Sequence, residues 1–176
     1  MFRVDGFRRI GYNVKVKIAV TGHRSEKIAG LEKYVGTFLG YQFGFHQPDA
    51  VIVGMAAGVD LIAGGIALDL NIPVVAARPW AGHKPRKDDV ALHDHILANA
   101  AEIVNVNDAE KYPGPWVYSR RNEWMVDHAQ LLLAVWDGST GGTANCYNYA
   151  LAQDLGIVTF NPQTREQVQR EPIVPF

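Results

Sequence analysis

The chain has 176 residues, 48% apolar and 20% charged, with 17 Gly and 9 Pro, a composition that supports a real core and excludes intrinsic disorder. Seventeen Lys+Arg against eighteen Asp+Glu leave a formal charge of −1, so no global field draws the protein to a polyanion or an anionic membrane, and any anion site must be local. A lone cysteine, Cys146, excludes an intramolecular disulfide and a multi-thiolate zinc site, which fits a reducing cytosol.

Met1 to Tyr12 carries Arg3, Arg8 and Arg9 but no apolar stretch of signal-peptide length. No later run approaches the ~20 apolar residues of a spanning helix, so a cytoplasmic protein without a membrane partner is expected. The first element is a β-branched run, Val14 to Val20, ended by Thr21-Gly22-His23-Arg24-Ser25 before a helical pattern that starts near Glu26. Ala50 to Val53 repeats the arrangement, with Gly54 and Gly58 leading into a helix from Val59 to Leu70, and Ile72 to Ala77 is the third strand. Helix Asp89 to Asn99 and strand Glu102 to Val106 follow, then helix Ser119 to His128 and strand Leu131 to Trp136, then helix Thr143 to Leu155 and strand Ile157 to Phe160. Strict alternation of this kind predicts an α/β fold with a mainly parallel sheet of about six strands and helices on its faces, because parallel neighbours need a crossover. Residues 1–176 show no repeat and no linker and read as one domain. The tail after Asn161, with three Pro and no period, reads as a surface wrap.

Ligands of open α/β sheets bind at the C-terminal ends of the strands, which is where the chemistry-bearing turns fall. Gly138-Ser139-Thr140-Gly141-Gly142-Thr143 lies between a strand and a helix, where glycines admit an anion to the backbone and free helical N–H groups favour phosphate. An ordinary glycine-rich turn with Thr143 as N-cap explains it equally well. It is neither a Walker loop, since no Lys follows the glycines, nor a GxGxxG fingerprint. Gly54 to Asp60 is a second such turn, with Asp60 placed to cap the helix or to reach a ribose hydroxyl, and Thr21-Gly22-His23-Arg24 is a third, with Arg24 as a phosphate partner. Arg121, read as lying at a helix N-terminus, opposes the dipole there, which favours a role in holding an anion. Two edge loops, Arg78 to Asp88 and Asn107 to Val117, bring Trp80, Tyr112 and Trp116, with Tyr118 beside them, as candidates for stacking on a base or for covering the core. The cluster Arg78, His83, Lys84, Arg86 and Lys87 reads as a solvated loop or a phosphate clasp. His93 and His95 are two apart and scatter across a helix, so with His83 they do not make a metal site, and no metal or cofactor is expected. The apolar run Leu61 to Leu70 suits a partner face or a buried helix equally.

Taken in order, Thr21-Gly22-His23-Arg24, Gly54 to Asp60 with Leu61-Ile62-Ala63, Arg121-Asn122 with Met125, and Gly141-Gly142-Thr143 resemble the SLOG superfamily, and its YspA/YpsA-like branch in particular. This group also holds the Lonely Guy phosphoribohydrolases and DNA-processing protein A. The resemblance implies a Rossmann-like three-layer α/β/α domain that binds a nucleotide or nucleotide-derived small molecule as a sensor or capture protein, and it suggests a homo-oligomer. Its implied ligand-binding residues are Thr21, Gly22, His23, Arg24, Gly54, Gly58, Asp60, Arg121, Asn122, Ser139, Gly141, Gly142 and Thr143. The alternative is a nucleotide N-glycosidase that releases a base from a nucleoside monophosphate. Lonely Guy enzymes place a glutamate just after the glycine loop, whereas this chain has Ala144-Asn145-Cys146, which leaves Asp60, Asp137 or Glu123 to supply the carboxylate; helical phase argues against Glu123, and Asp60 is the best placed. Near-neutral net charge counts against DNA or RNA as a partner.

Overall fold

The computed structural model describes residues 15–172. Five α-helices and a seven-stranded sheet alternate along the chain: β1 (Lys17–Gly22), α1 (Glu32–His46), β2 (Ala50–Val53), α2 (Val59–Asp69), β3 (Val74–Arg78), α3 (Val90–Asn99), β4 (Glu102–Asn105), α4 (Trp116–Asp127), β5 (Leu131–Val135), α5 (Gly142–Ala152), β6 (Gly156–Phe160) and β7 (Gln167–Arg170). The strand order is β4-β3-β2-β1-β5-β6-β7, parallel throughout except for the β6–β7 pair. This is a Rossmann-like three-layer fold. From β1 the chain winds outward through β2, β3 and β4, then crosses back to lay β5 on the other side of β1. The topological switch point therefore falls between β1 and β5, where an open α/β sheet leaves a crevice.

Alternation along each strand sorts the apolar side chains into two layers. Ile18, Val20, Val51, Val53, Val74, Leu131, Leu133 and Val158 face α1, α2 and α3, which contribute Phe38, Leu39, Phe43, Leu61, Ala63 and Ile96. Ala19, Ile52, Val75, Leu132, Ala134 and Ile157 face α4 and α5, which contribute Met125, Val126, Cys146 and Ala150. The run Leu61 to Leu70 belongs to the first layer: Leu61, Ala63, Gly64 and Ala67 are buried, with Ile66 beside Gly36 of α1 and Gly64 against Ile96 of α3. That packing fits the buried-helix reading, although Leu70 at its end is 48% exposed. Cys146 is fully buried, and burial pushes its thiol up to about 11, so it is an inert filler.

Several boundaries differ from the sequence expectation, each for a local reason. Val14 lies outside the described residues, and β1 runs on through Thr21 and Gly22 because these pair with Ala134 and Val135 of β5. The helix expected from Glu26 is a single 3-10 turn, Ser25–Lys27, after which Gly30 at φ 78° breaks the path before α1. Helix α4 begins at Trp116, directly after Pro115, so Arg121 sits in its second turn and not at its N-terminus. The dipole argument for Arg121 therefore fails, because that effect is confined to the first turn. Helix α5 stops at Ala152, with Asp154 turning left-handed at φ 52°. The described part of the tail is more than a surface wrap: residues 167–170 form β7, an antiparallel edge strand paired through Val158↔Gln169, and this raises the strand count from six to seven.

Candidate functional site

The cleft at the switch point has a volume of about 270 Å³ and is lined by the turn after β1 (Thr21, Gly22, His23, Arg24, Lys27), by Ala56 and Asp60, by Tyr118, Arg121 and Asn122 of α4, and by Ser139 to Thr143. The structure thus brings together every residue expected from the sequence except Gly54 and Gly58. Those two lie behind the cleft wall and serve packing. A Cβ on Gly58 would come 2.5 Å from the His23 carbonyl oxygen and 2.7 Å from the Ser25 nitrogen, and its φ of 90° suits glycine. Gly54 is bare because the Arg121 guanidinium and the Asp60 carboxylate occupy the space a side chain would need. Gly22 lines the cleft and is also held against Val59, 2.6 Å from where its Cβ would be.

The turn after β5 is open by contrast. A Cβ on Gly138, Gly141 or Gly142 would meet nothing within 4 Å, and Gly138 and Gly141 adopt φ 87° and 139°. Helix α5 starts at the end of this turn with no side-chain cap, which excludes the reading of Thr143 as N-cap and leaves its first N–H groups facing the cleft end of the helix. The turn is held from its own side: Ser139 N–H donates to Asp137 Oδ1 at 2.9 Å, and Trp136 Nε1 donates to the Ser139 carbonyl at 2.7 Å. Across the cleft, Asn122 Nδ2 donates to the Gly142 carbonyl at 3.2 Å while Asn122 Oδ1 accepts from Arg121 Nε at 2.9 Å. Asn122 thereby ties the arginine to the glycine turn.

Arg121 is 6% exposed. Its Nη1 donates to the Gly54 carbonyl and lies 3.7 Å from Asp60 Oδ2. Its Nη2 makes no hydrogen bond among the described residues and is not sealed from solvent, so one charged donor remains for a ligand. Asp60 is not the N-cap of α2, a position held by Gly58. Its Oδ2 accepts from the Ala56 N–H at 3.2 Å. Burial pushes the Asp60 carboxyl above its ordinary range, against the pull of Arg121. On the opposite wall, His23 Nε2 lies 2.8 Å from Asp137 Oδ1 and 3.0 Å from the Asp137 backbone N–H. Burial lowers the His23 pKa, with Lys27 acting in the same direction and Asp137 opposing it. Burial raises the Asp137 carboxyl, but the Ser139 hydrogen bonds and the charges of His23 and Lys27 outweigh it and bring the group to about 2. Arg24 is exposed, forms no ion pair among the described residues, and sits over the Tyr118 ring at 5.9 Å from its centroid.

Lys27 is the wall residue that the sequence reading missed; its only signal was its place one short turn beyond Arg24. Of the loop aromatics, Tyr118 reaches the cleft, Trp80 is 9% exposed and packs between His83 and Tyr118, and exposed Trp116 donates through Nε1 to the Pro113 carbonyl. Among the described residues there is no group of three or more His, Cys, Asp or Glu arranged for a metal, and no helix long and apolar enough to cross a membrane.

The family model of DNA recombination-mediator protein A matches residues 10–171. The chain belongs to that family. Among curated proteins it is 41% identical over 78 residues to the uncharacterized SPbeta prophage-derived protein YoqJ of Bacillus subtilis (strain 168), a match covering 39% of this chain and 46% of YoqJ. Similar solved structures include DNA processing protein A from Streptococcus pneumoniae (TM-score 0.60, 16% identity, 84% of this chain and 50% of that one). The Helicobacter pylori protein of the same name, described by its single-stranded DNA binding mode, gives 0.66 at 17% identity over 83% of this chain and 65% of its own. The molybdenum cofactor binding protein from Rippkaea orientalis gives 0.60 at 16% identity over 87% and 83%. The three solved structures share the Rossmann-like fold of this chain, which spans only about half the length of YoqJ and of the S. pneumoniae protein.

Proposed function

We propose that this protein binds a nucleotide or nucleotide-derived small molecule in the switch-point cleft, with residues 1–176 acting as one nucleotide-binding domain. The observation that carries this reading is the meeting, in one cleft, of the uncapped start of α5, the open glycine turn before it, and the free Nη2 of the otherwise buried Arg121. Main-chain N–H groups and a fixed guanidinium supply the donors that a phosphate takes from a helix start. Tyr118, with Arg24 above it, offers a face for the base. Calorimetry with nucleoside 5′-monophosphates is the test. Binding that Arg121→Ala weakens at least about tenfold, the value of one charge-assisted hydrogen bond, supports the reading; unchanged affinity in that variant overturns it.

The net-charge argument against nucleic acid loses its force in a family where one relative is described as binding single-stranded DNA, so an oligonucleotide belongs among the probes. A second reading rests on Asp60, a carboxyl of raised pKa at the cleft wall, which is the kind of group an N-glycosidase uses at the sugar. Free base released from a nucleoside monophosphate, and lost in Asp60→Asn, selects it; tight binding without base release selects the binding protein. Self-association is a separate proposal, checked by sedimentation.

A further inference from the structure

A second cleft of about 200 Å³ adjoins the first and shares Arg24, Ala56 and Tyr118 with it. Its own walls come from the β2–α2 loop and from the loop after β3, through Met55, Trp80, His83, Lys84, Arg86 and Asp89. The β3 loop is firmly held: Ala81 and Gly82 donate to the carbonyls of Asn107 and Ala109 at 2.9 and 3.1 Å, and Arg78 Nη2 donates to the His83 carbonyl at 2.9 Å. Arg86 is paired with Glu26, but Arg24 and Lys84 form no ion pair among the described residues, and Asp89 is the one carboxylate of the lining. The wall also carries unspent polar capacity, because His83 Nδ1 is buried without a hydrogen-bond partner. The two clefts together reach the size of about 300–1,000 Å³ usual for ligand sites, which the first alone does not.

Resting on the nucleotide reading above, we infer that this neighbouring cleft is a second anion subsite, so that the ligand carries two phosphoryl groups on opposite sides of one nucleoside. The first lies on the α5 turn and Arg121, the nucleoside crosses at Ala56 and Tyr118, and the second meets Lys84 with Arg24 between the two. A nucleoside 3′,5′-bisphosphate has this layout; a 5′-diphosphate, whose phosphates are adjacent, does not.

The test compares, by calorimetry, the four common nucleoside 5′-monophosphates with the matching 3′,5′-bisphosphates and 5′-diphosphates, in wild type and in Lys84→Ala. A bisphosphate that binds about tenfold tighter than its monophosphate, with that gain cut to less than about threefold in Lys84→Ala and monophosphate affinity unchanged there, is the expected result. Monophosphates that bind with no gain from the 3′-phosphate, a gain that survives Lys84→Ala, or a gain confined to the 5′-diphosphate overturns the second subsite alone. Binding of no nucleotide at all overturns the parent reading and this one with it.

Discussion

The wedge of Arg121 against Gly54 makes a quantitative test of how the cleft is held. In Gly54→Ala the new Cβ enters space filled by the guanidinium and stands 2.7 Å from Asp60 Oδ2. Backbone on β2 and helix α4 fix both sides, so the side chains must yield: Arg121 has to give up its bond to the Gly54 carbonyl and retreat from Asp60. Losing a charge-assisted buried hydrogen bond costs about 1.5–3 kcal/mol, and overpacking of this size costs about 1–3 kcal/mol. The two overlap, so a net loss of about 2–4 kcal/mol is expected, a sizeable part of the ~5–15 kcal/mol that holds a domain together. Urea unfolding followed by far-UV circular dichroism measures it, with Gly40→Ala as the control. Gly40 lies within α1 with nothing near its Cβ position, and alanine there should stabilise by about 0.5–1 kcal/mol. A Gly54→Ala protein within ~0.5 kcal/mol of wild type refutes the wedge as described.

Three further outcomes follow from the geometry. Gly141→Ala puts a side chain on a residue at φ 139°, so it should cost about 1–3 kcal/mol and weaken the proposed phosphate binding, read by thermal melts and calorimetry. His83 is brought by burial, aided by the charge of Arg121, from 6.5 to about 4. A folded pKa below the unfolded one means stability is full above pH 6.5 and falls as pH drops toward 4, so His83→Gln should flatten that part of a pH–stability curve. Asp137, depressed from 3.8 to about 2, contributes stability present above pH 3.8 and lost as pH falls toward 2. The loss over that window should be smaller in Asp137→Asn; identical acid limbs in mutant and wild type would show that the Ser139 and His23 contacts are not formed in solution.

Much of the sheet was legible because Val51, Ile52, Val75 and Leu132 sit in unbroken apolar runs, the mark of strands buried on both faces. The open turn at Gly138 to Thr143 and the importance of Arg121 were legible too, although the dipole reasoning for Arg121 was misplaced by three residues of helix that Pro115 starts early. What stayed hidden depends on partners distant in the chain. Nothing around Gly54 announces that a guanidinium from residue 121 will lie over it, and nothing around Gly58 announces the carbonyl of His23. Strand β7, Gln-Val-Gln-Arg, carries a single apolar residue, Val168, which is 65% exposed, so no periodicity could mark it; pairing with β6 alone makes it a strand. The second cleft was invisible for the same reason, since it arises where two loops separated by α2 and β3 meet.

The placement of β1 and β5 at the middle of the sheet has a consequence for how this molecule would respond to being occupied. Their amides are flanked by paired strands on both sides and should be among the last to exchange with deuterium, opening only when the whole chain unravels. A guest seated on their ends is then coupled to the global unfolding equilibrium, and saturation should slow exchange across the entire sheet together instead of protecting one loop.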